Sequence, residues 1–151
     1  MRIMFLDDMK KRRDAFRSNS IGHVVDFAIT AQQAIDLMVK NEYDLFFLDH
    51  DLESEHYQSN EDHHEDGRFV ARKMVETKRL TKHHGKPVIV HSLNPSGRQN
   101  IKSILKNHFT VYLGPEDAKF QNVWELDLAY LLAKLGIEQK KAEAPKEEKQ
   151  D

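Results

Sequence analysis

Cysteine is absent from the 151-residue chain. That excludes a disulfide, a thiolate zinc site and a thiol nucleophile, so any metal must be held by oxygen and imidazole. Long apolar runs are missing too. None approaches the roughly 20 residues of a membrane helix, and the first one ends in two aspartates, unlike a signal peptide. A cytoplasmic protein without membrane contact is expected. Nor is there an excess of one charge: 23 Lys and Arg stand against 25 Asp and Glu. The formal charge of −2 gives no general pull toward nucleic acid, although a local basic patch can still hold a phosphate. No internal repeat is seen beyond an alternation of apolar and amphipathic stretches. The length suits one domain with a sizeable core.

Five short apolar runs, near 2–6, 23–29, 43–49, 87–92 and 109–113, alternate with helical patterns, so a βα repeat is expected. The first helix, near 9–18, takes Asp7 or Asp8 as its cap and turns Lys10-Lys11-Arg12-Arg13 to water. Thr30-Ala31-Gln32-Gln33 fits a capping box for a second helix that buries Ala31, Ile35, Met38 and Val39. Asp66 caps a third helix that runs to about Leu80. Asn94-Pro95 starts a fourth, with Ile101, Ile104, Leu105 and His108 on one face. The fifth carries Trp124, Leu128, Leu131, Leu132 and Leu135 and ends at Gly136. Trp124 is read as core. These elements place a domain at 1–136, with a charged, disordered tail at 137–151. The long polar loop 52–65 is either a lid or disorder.

Two of the runs end in acids. Asp7-Asp8 follows Ile3 to Leu6, and Asp49-His50-Asp51 follows Tyr43 to Leu48. In an open α/β sheet, ligands bind beyond the carboxyl ends of the strands, so adjacent strands would gather four carboxylates at one crevice. Mg2+ or Mn2+ suits such an oxygen set, with waters and a substrate phosphate completing the shell. A buried, uncompensated carboxylate is costly, which favours metal contact for Asp7 and Asp49. Asp8 and Asp51 have a competing role as turn or helix caps.

His50 and His91 are candidates for general acid and base, because imidazole titrates near neutrality. Strand alternation turns His50 away from Asp49 and Asp51, so His91 is the better placed of the two. A half-buried histidine bonded to backbone is the competing reading for His91. Asn94, Ser96 and the free N–H groups of the fourth helix form a candidate phosphate site, with Arg98 as a bidentate clamp. Against this, Asn94-Pro95 is also a plain helix start and Arg98 a solvated side chain. The run Glu61 to Asp66 and the pair His83-His84 read as solvated, as does the basic face of the first helix, which otherwise could touch an RNA backbone.

An acidic pair ending the first strand, an aspartate ending the third, a hydroxyl ending the fourth and a proline after the fifth resemble a response-regulator receiver domain over residues 1–135. By position, Asp7 and Asp8 match its metal pair, Asp49 its phospho-acceptor, Ser92 its Ser/Thr and Pro115 its proline. Its lysine before that proline is replaced here by Gly114. Three segments, Leu6-Asp7-Asp8, Leu48-Asp49-His50-Asp51-Leu52 and His91-Ser92-Leu93-Asn94-Pro95-Ser96-Gly97-Arg98, are similar to motifs of the divergent cyclic-phosphate-processing receivers. The resemblance implies a doubly wound, five-stranded parallel sheet of order 2-1-3-4-5. It also implies a metal-dependent phosphoesterase acting on a cyclic phosphate, whether a small molecule such as a cyclic nucleotide or an RNA 2′,3′-cyclic end. Ser92 joins the phosphate-binding set on the same basis. The rivals are a non-catalytic receiver-like signalling or binding module and a Toprim-like nucleic-acid phosphotransfer domain, which needs a glutamate after its first strand.

Overall fold

The computed structural model describes residues 1–52 and 66–139. Five parallel strands run in the order β2-β1-β3-β4-β5, with β1 at Arg2–Leu6, β2 at Val24–Ala28, β3 at Leu45–Leu48, β4 at Pro87–Val90 and β5 at Thr110–Leu113. The helices are α1 (Lys10–Asn19), α2 (Ala31–Lys40), α3 (Gly67–Glu76), α4 (Pro95–Leu105), α5 (Gly114–Ala118) and α6 (Leu128–Leu135). This is the expected doubly wound arrangement.

Side-chain alternation explains why both faces are covered. Met4, Leu6, Phe46, Leu48, Val88 and Val90 meet Met38, Val70, Met74, Ile101 and Leu105 from α2, α3 and α4. The intervening residues Ile3, Phe5, Leu45, Phe47 and Ile89 meet Phe16 of α1 and Leu128, Leu131 and Leu132 of α6. A strand buried on both faces reads as an unbroken apolar run, which is how β1 and β3 stand out in the sequence. Phe5 is central to the second layer, with its ring centroid 4.3 Å from Phe16 and 5.4 Å from Phe47. Truncating such a residue to alanine costs about 3–5 kcal/mol.

The helix starts follow local chemistry. Thr30 Oγ1 accepts from Gln33 N at 3.1 Å, while Gln33 Oε1 accepts from Ile29 N at 2.9 Å. Asp66 accepts from the N–H groups of Arg68 and Phe69, Asn94 from Gly97, and Asp127 from Tyr130. Each satisfies a donor that the first helical turn leaves free. Gly136 closes α6 in the left-handed region at φ 72°.

Several boundaries differ from the sequence expectation. Met9, rather than Asp7 or Asp8, is the N-cap of α1. Only Lys10 and Lys11 of the basic run are exposed there; Arg12 and Arg13 fold back onto Asp7. The third helix stops at Glu76, and a 3-10 turn over Lys78–His83 follows. That turn puts His83, expected at the surface, in the core, where its Nε2 meets Met38 O at 2.8 Å. Burial holds the His83 pKa below its ordinary value. Trp124 sits on a separate 3-10 turn, Val123–Glu125, because Asp127 begins a new helix after it. Helix α4 ends at Leu105, which leaves His108 exposed on a turn. Ile137, assigned to the tail, packs on the second layer. The expected loop at 52–65 and the expected tail lie, from 53 to 65 and from 140 onward, outside the described residues. Among the described residues no helix is long and apolar enough to cross a membrane.

Candidate functional site

Three residues just beyond the strand ends extend the sheet by one more rung. Asp7 N donates to Ala28 O at 3.0 Å, Asp49 N to Leu6 O at 3.1 Å and His91 N to Leu48 O at 3.0 Å. In the ladder, Leu6 is paired with Leu48 and Leu48 with Val90, so Asp7, Asp49 and His91 are the next set of register neighbours. By alternation their side chains share the α1/α6 face with Phe5, Phe47 and Ile89. Potential ligand atoms of these three residues all lie within 4.8 Å of one another. All three are buried.

Asp7 is the hub. Its Oδ1 accepts from Met9 N at 2.9 Å, and its Oδ2 faces His91 Nε2 at 3.0 Å and Arg12 Nη1 at 3.5 Å. Burial alone would raise its pKa, but the His91 bond and charge, the Met9 N–H and Arg12 together bring it below the ordinary value. Asp7 is therefore the anion and His91 the donor through Nε2. The imidazole is stacked on Phe5 with centroids 4.7 Å apart and has no exposed surface, and its Nδ1 has no partner among the described residues.

Asp49 is less well compensated. Its Oδ1 accepts from His50 N at 2.9 Å, and Arg12 lies 3.8 Å from its Oδ2. Burial, together with the charges of Asp7 and Asp8, outweighs His91 and Arg12 and pushes its pKa up to about 6. Two buried carboxylates that raise one another's cost, on a cleft with further acids, fit a divalent cation. Asp8, Met9, Arg12, Asp49, Asp51, Ser92 and Leu93 line that cleft, which has a volume of about 190 Å³. Asp7, Asp8, Asp49 and Asp51 are the residues that could hold Mg2+ or Mn2+ there.

The α4 motif is arranged differently from the cleft. Asn94 Oδ1 accepts from Gly97 N at 3.0 Å and from Ser96 Oγ at 3.2 Å, while Ser92 Oγ accepts from Asn94 N at 3.1 Å. Arg98 is buried against Glu116: its Nε donates to Oε1 at 3.0 Å, its Nη2 binds the same oxygen, and its Nη1 donates to Ser92 O at 2.6 Å. His50 is turned to the α3/α4 side. Its Nδ1 lies 2.7 Å from Asp51 Oδ1, and its buried Nε2 is 3.9 Å from Asp66 Oδ2. Gly97 gives the ring its room, since a Cβ there would stand 2.4 Å from His50 Cγ.

A family model described as the cyclic-phosphate processing receiver domain matches residues 2–107. The chain belongs to that family. Among solved structures it is similar to the Mn2+-bound form of response regulator Rcp1, at 15% identity over 95% of this chain and 99% of that one, with a TM-score of 0.59. It is also similar to response regulator TrrA from Thermotoga maritima, in complex with Mg2+-BeF, at 18% identity over 74% and 86% of the two chains and a TM-score of 0.52. The bacteriophytochrome response regulator AtBRR matches at 13% identity over 95% and 97%, with a TM-score of 0.57. At these identities the likeness is one of fold. No curated protein sequence matches.

In this cyclic-phosphate processing receiver, the residues singled out from sequence divide into two groups. Asp7, Asp49 and His91 meet, and Asp8, Asp51 and Ser92 line the cleft beside them. Asn94, Ser96 and Arg98 are engaged within the protein, and His50 reaches the cleft only through Asp51. Arg98 was expected to clamp phosphate, but Glu116, four residues beyond β5's Tyr112, takes its guanidinium first. His91 was expected to exchange protons with a substrate, yet it stands behind Asp7 rather than on the cleft wall. Arg12, expected on a solvated basic face that otherwise could touch an RNA backbone, instead lines the cleft. The available signal was its position in that helix, four residues after Asp8 and on the side that also presents Phe16.

Proposed function

We propose that the protein is a divalent-metal-dependent phosphoesterase that opens a cyclic phosphate. The substrate class comes from the family, with an RNA 2′,3′-cyclic end or a cyclic nucleotide as the candidate. The supporting observation is the meeting of Asp7 and Asp49 at the sheet end beside a small, acid-lined cleft. At about 190 Å³ the cleft is smaller than the roughly 300–1,000 Å³ of drug-sized pockets. That volume suits a phosphate group with the rest of the substrate outside.

In this reading Mg2+ or Mn2+ is held by Asp7, Asp8, Asp49 and Asp51. When bound, it supplies charge neutralisation at the phosphate oxygens and an acidified water. The reaction joins a water oxygen to phosphorus and breaks one ring P–O bond; the freed oxygen takes a proton, leaving a phosphomonoester. His91 fixes the Asp7 carboxylate, so it is a positioning residue. His50 Nδ1, on Asp51 Oδ1, orients that carboxylate at the cleft, so His50 is a second positioning residue and the freed oxygen takes its proton from water.

The test is an assay of 2′,3′-cyclic and 3′,5′-cyclic nucleotides and cyclic oligonucleotides with Mg2+ or Mn2+. Turnover should require the ion, be abolished by Asp49→Asn, and fall with His50→Ala and His91→Ala. A second reading, a receiver-like module that binds or signals without turnover, is favoured by one feature: neither imidazole lines the cleft. Stable phosphorylation of Asp49 by acetyl phosphate, with no substrate hydrolysed under either ion, would give that reading precedence.

A further inference from the structure

We propose that Arg12, laid against the indole of Trp124, is the side chain that grips the phosphate in this cleft. The inference rests on the phosphoester reading for its substrate and adds a residue outside the three motifs. Arg12 is the one cation among the described residues that line the cleft. Its guanidinium carbon lies 4.5 Å from the centroid of the Trp124 ring, and its side chain is only 17% exposed. Stacking on an indole fixes the plane of the guanidinium and leaves its edge, which carries the N–H donors, directed outward.

The contacts of Arg12 are those of a donor with capacity left. Nη1 is 3.5 Å from Asp7 Oδ2 and 3.8 Å from Asp49 Oδ2. A guanidinium serving only as a counterion closes to about 2.7–2.9 Å. Arg98 behaves in that way, with Nη1 at 2.6 Å from Ser92 O and two further nitrogens on Glu116. Of the two arginines, the one in the expected motif is engaged by the protein and the other faces the cleft. Five N–H donors in a planar fork match two oxygens of a phosphodiester. Strand β5 offers no alternative cation, because Gly114 follows its last residue; a Cβ there would stand 3.1 Å from Val90 O and 3.2 Å from Val123 Cγ2.

The chain's single tryptophan is the platform itself, so its fluorescence reports on the site. Inorganic phosphate titrated into the Mg2+-loaded protein should change Trp124 emission saturably. Arg12→Gln should weaken phosphate binding by roughly 10- to 100-fold, the loss of charged hydrogen bonds, with calorimetry as the readout independent of the dye-like role of Trp124. Arg12→Lys should restore part of it, and Lys11→Gln, on the exposed side of α1, none of the loss should appear. Mg2+ affinity should be unchanged or tighter in Arg12→Gln, which a merely unfolded variant would not give. Equal phosphate affinity in wild type and Arg12→Gln, or no saturable phosphate binding by wild type, overturns the inference. If phosphate binding depends on Arg12 while no cyclic phosphate is turned over, the phosphoester reading fails alone. If turnover proceeds with an unchanged KM in Arg12→Gln, the Arg12 inference fails alone.

Discussion

Asp49→Asn should make the metal-free protein more stable at neutral pH and no more stable in acid. Asp49 is buried with a pKa of about 6 against an ordinary 3.8. At roughly 1.36 kcal/mol per pH unit, that difference is about 3 kcal/mol. Below the ordinary value the carboxyl is protonated in the folded and unfolded chains alike. As pH rises through about 6, the unfolded chain has already ionised while the folded one must release its proton inside the sheet, so stability is lost. Asparagine removes that loss and keeps an Oδ1 for the bond from His50 N, now at 2.9 Å. Asp7 acts in the opposite sense, since its lowered pKa contributes stability that disappears as pH falls; its repulsion of Asp49 is one cause of the raised Asp49 pKa and is already contained in that difference. Urea unfolding in EDTA should therefore give a gap between variant and wild type near zero at about pH 4. By pH 7.5 the gap should approach ~3 kcal/mol in favour of the variant, or about 6–12 °C in Tm for a chain of this size. Mg2+ should close the gap by stabilising the wild type more. A variant less stable than wild type at neutral pH, or a gap that does not vary with pH, would refute the placement of Asp49 as an under-compensated carboxylate.

Gly97→Ala should cost about 1–3 kcal/mol by driving a Cβ to within 2.4 Å of His50 Cγ. Gly67→Ala should cost more, because the obstruction there is backbone, Asp49 O at 2.1 Å; both are checked by urea midpoints. Glu116→Ala leaves the buried Arg98 with one protein partner, Ser92 O, and an unfolding loss of about 1–2 kcal/mol is expected, since Glu116 itself is partly exposed. Burial works against the Glu116 carboxylate, but the Arg98 bond holds its pKa below the ordinary value, so this contribution should fade as pH falls through that lowered value. Tyr43→Phe should lose about 1–2 kcal/mol with the 2.7 Å bond from its hydroxyl to Asp26 Oδ2.

The sheet was legible because each central strand is buried on both sides and ends in a residue that does not belong in a core. The runs before Asp7, Asp49 and His91 carry that signal without ambiguity, and the family motifs add the order. Alternation also foretold that His50 would turn away from Asp49, which it does toward Gly97. What was hidden depends on distances in sequence. Glu116 lies 18 residues from Arg98, and nothing in either segment announces that they pair. His83 looks like part of a polar pair until the 3-10 turn carries it under Tyr43 and Phe46. Arg12 and Trp124 are 112 positions apart in number but stacked in space, so a charge run and a core aromatic each gave half of one feature.

Because Asp7, Asp49 and His91 hang on backbone amides that are themselves rungs of the sheet, the acidic centre has no hinge of its own. These amides belong to the part of a protein that opens only with the whole, so the geometry of the carboxylates is as durable as the fold. Any ligand at the cleft meets carboxylates held in one arrangement, so accommodation of its shape has to come from side chains around the rim.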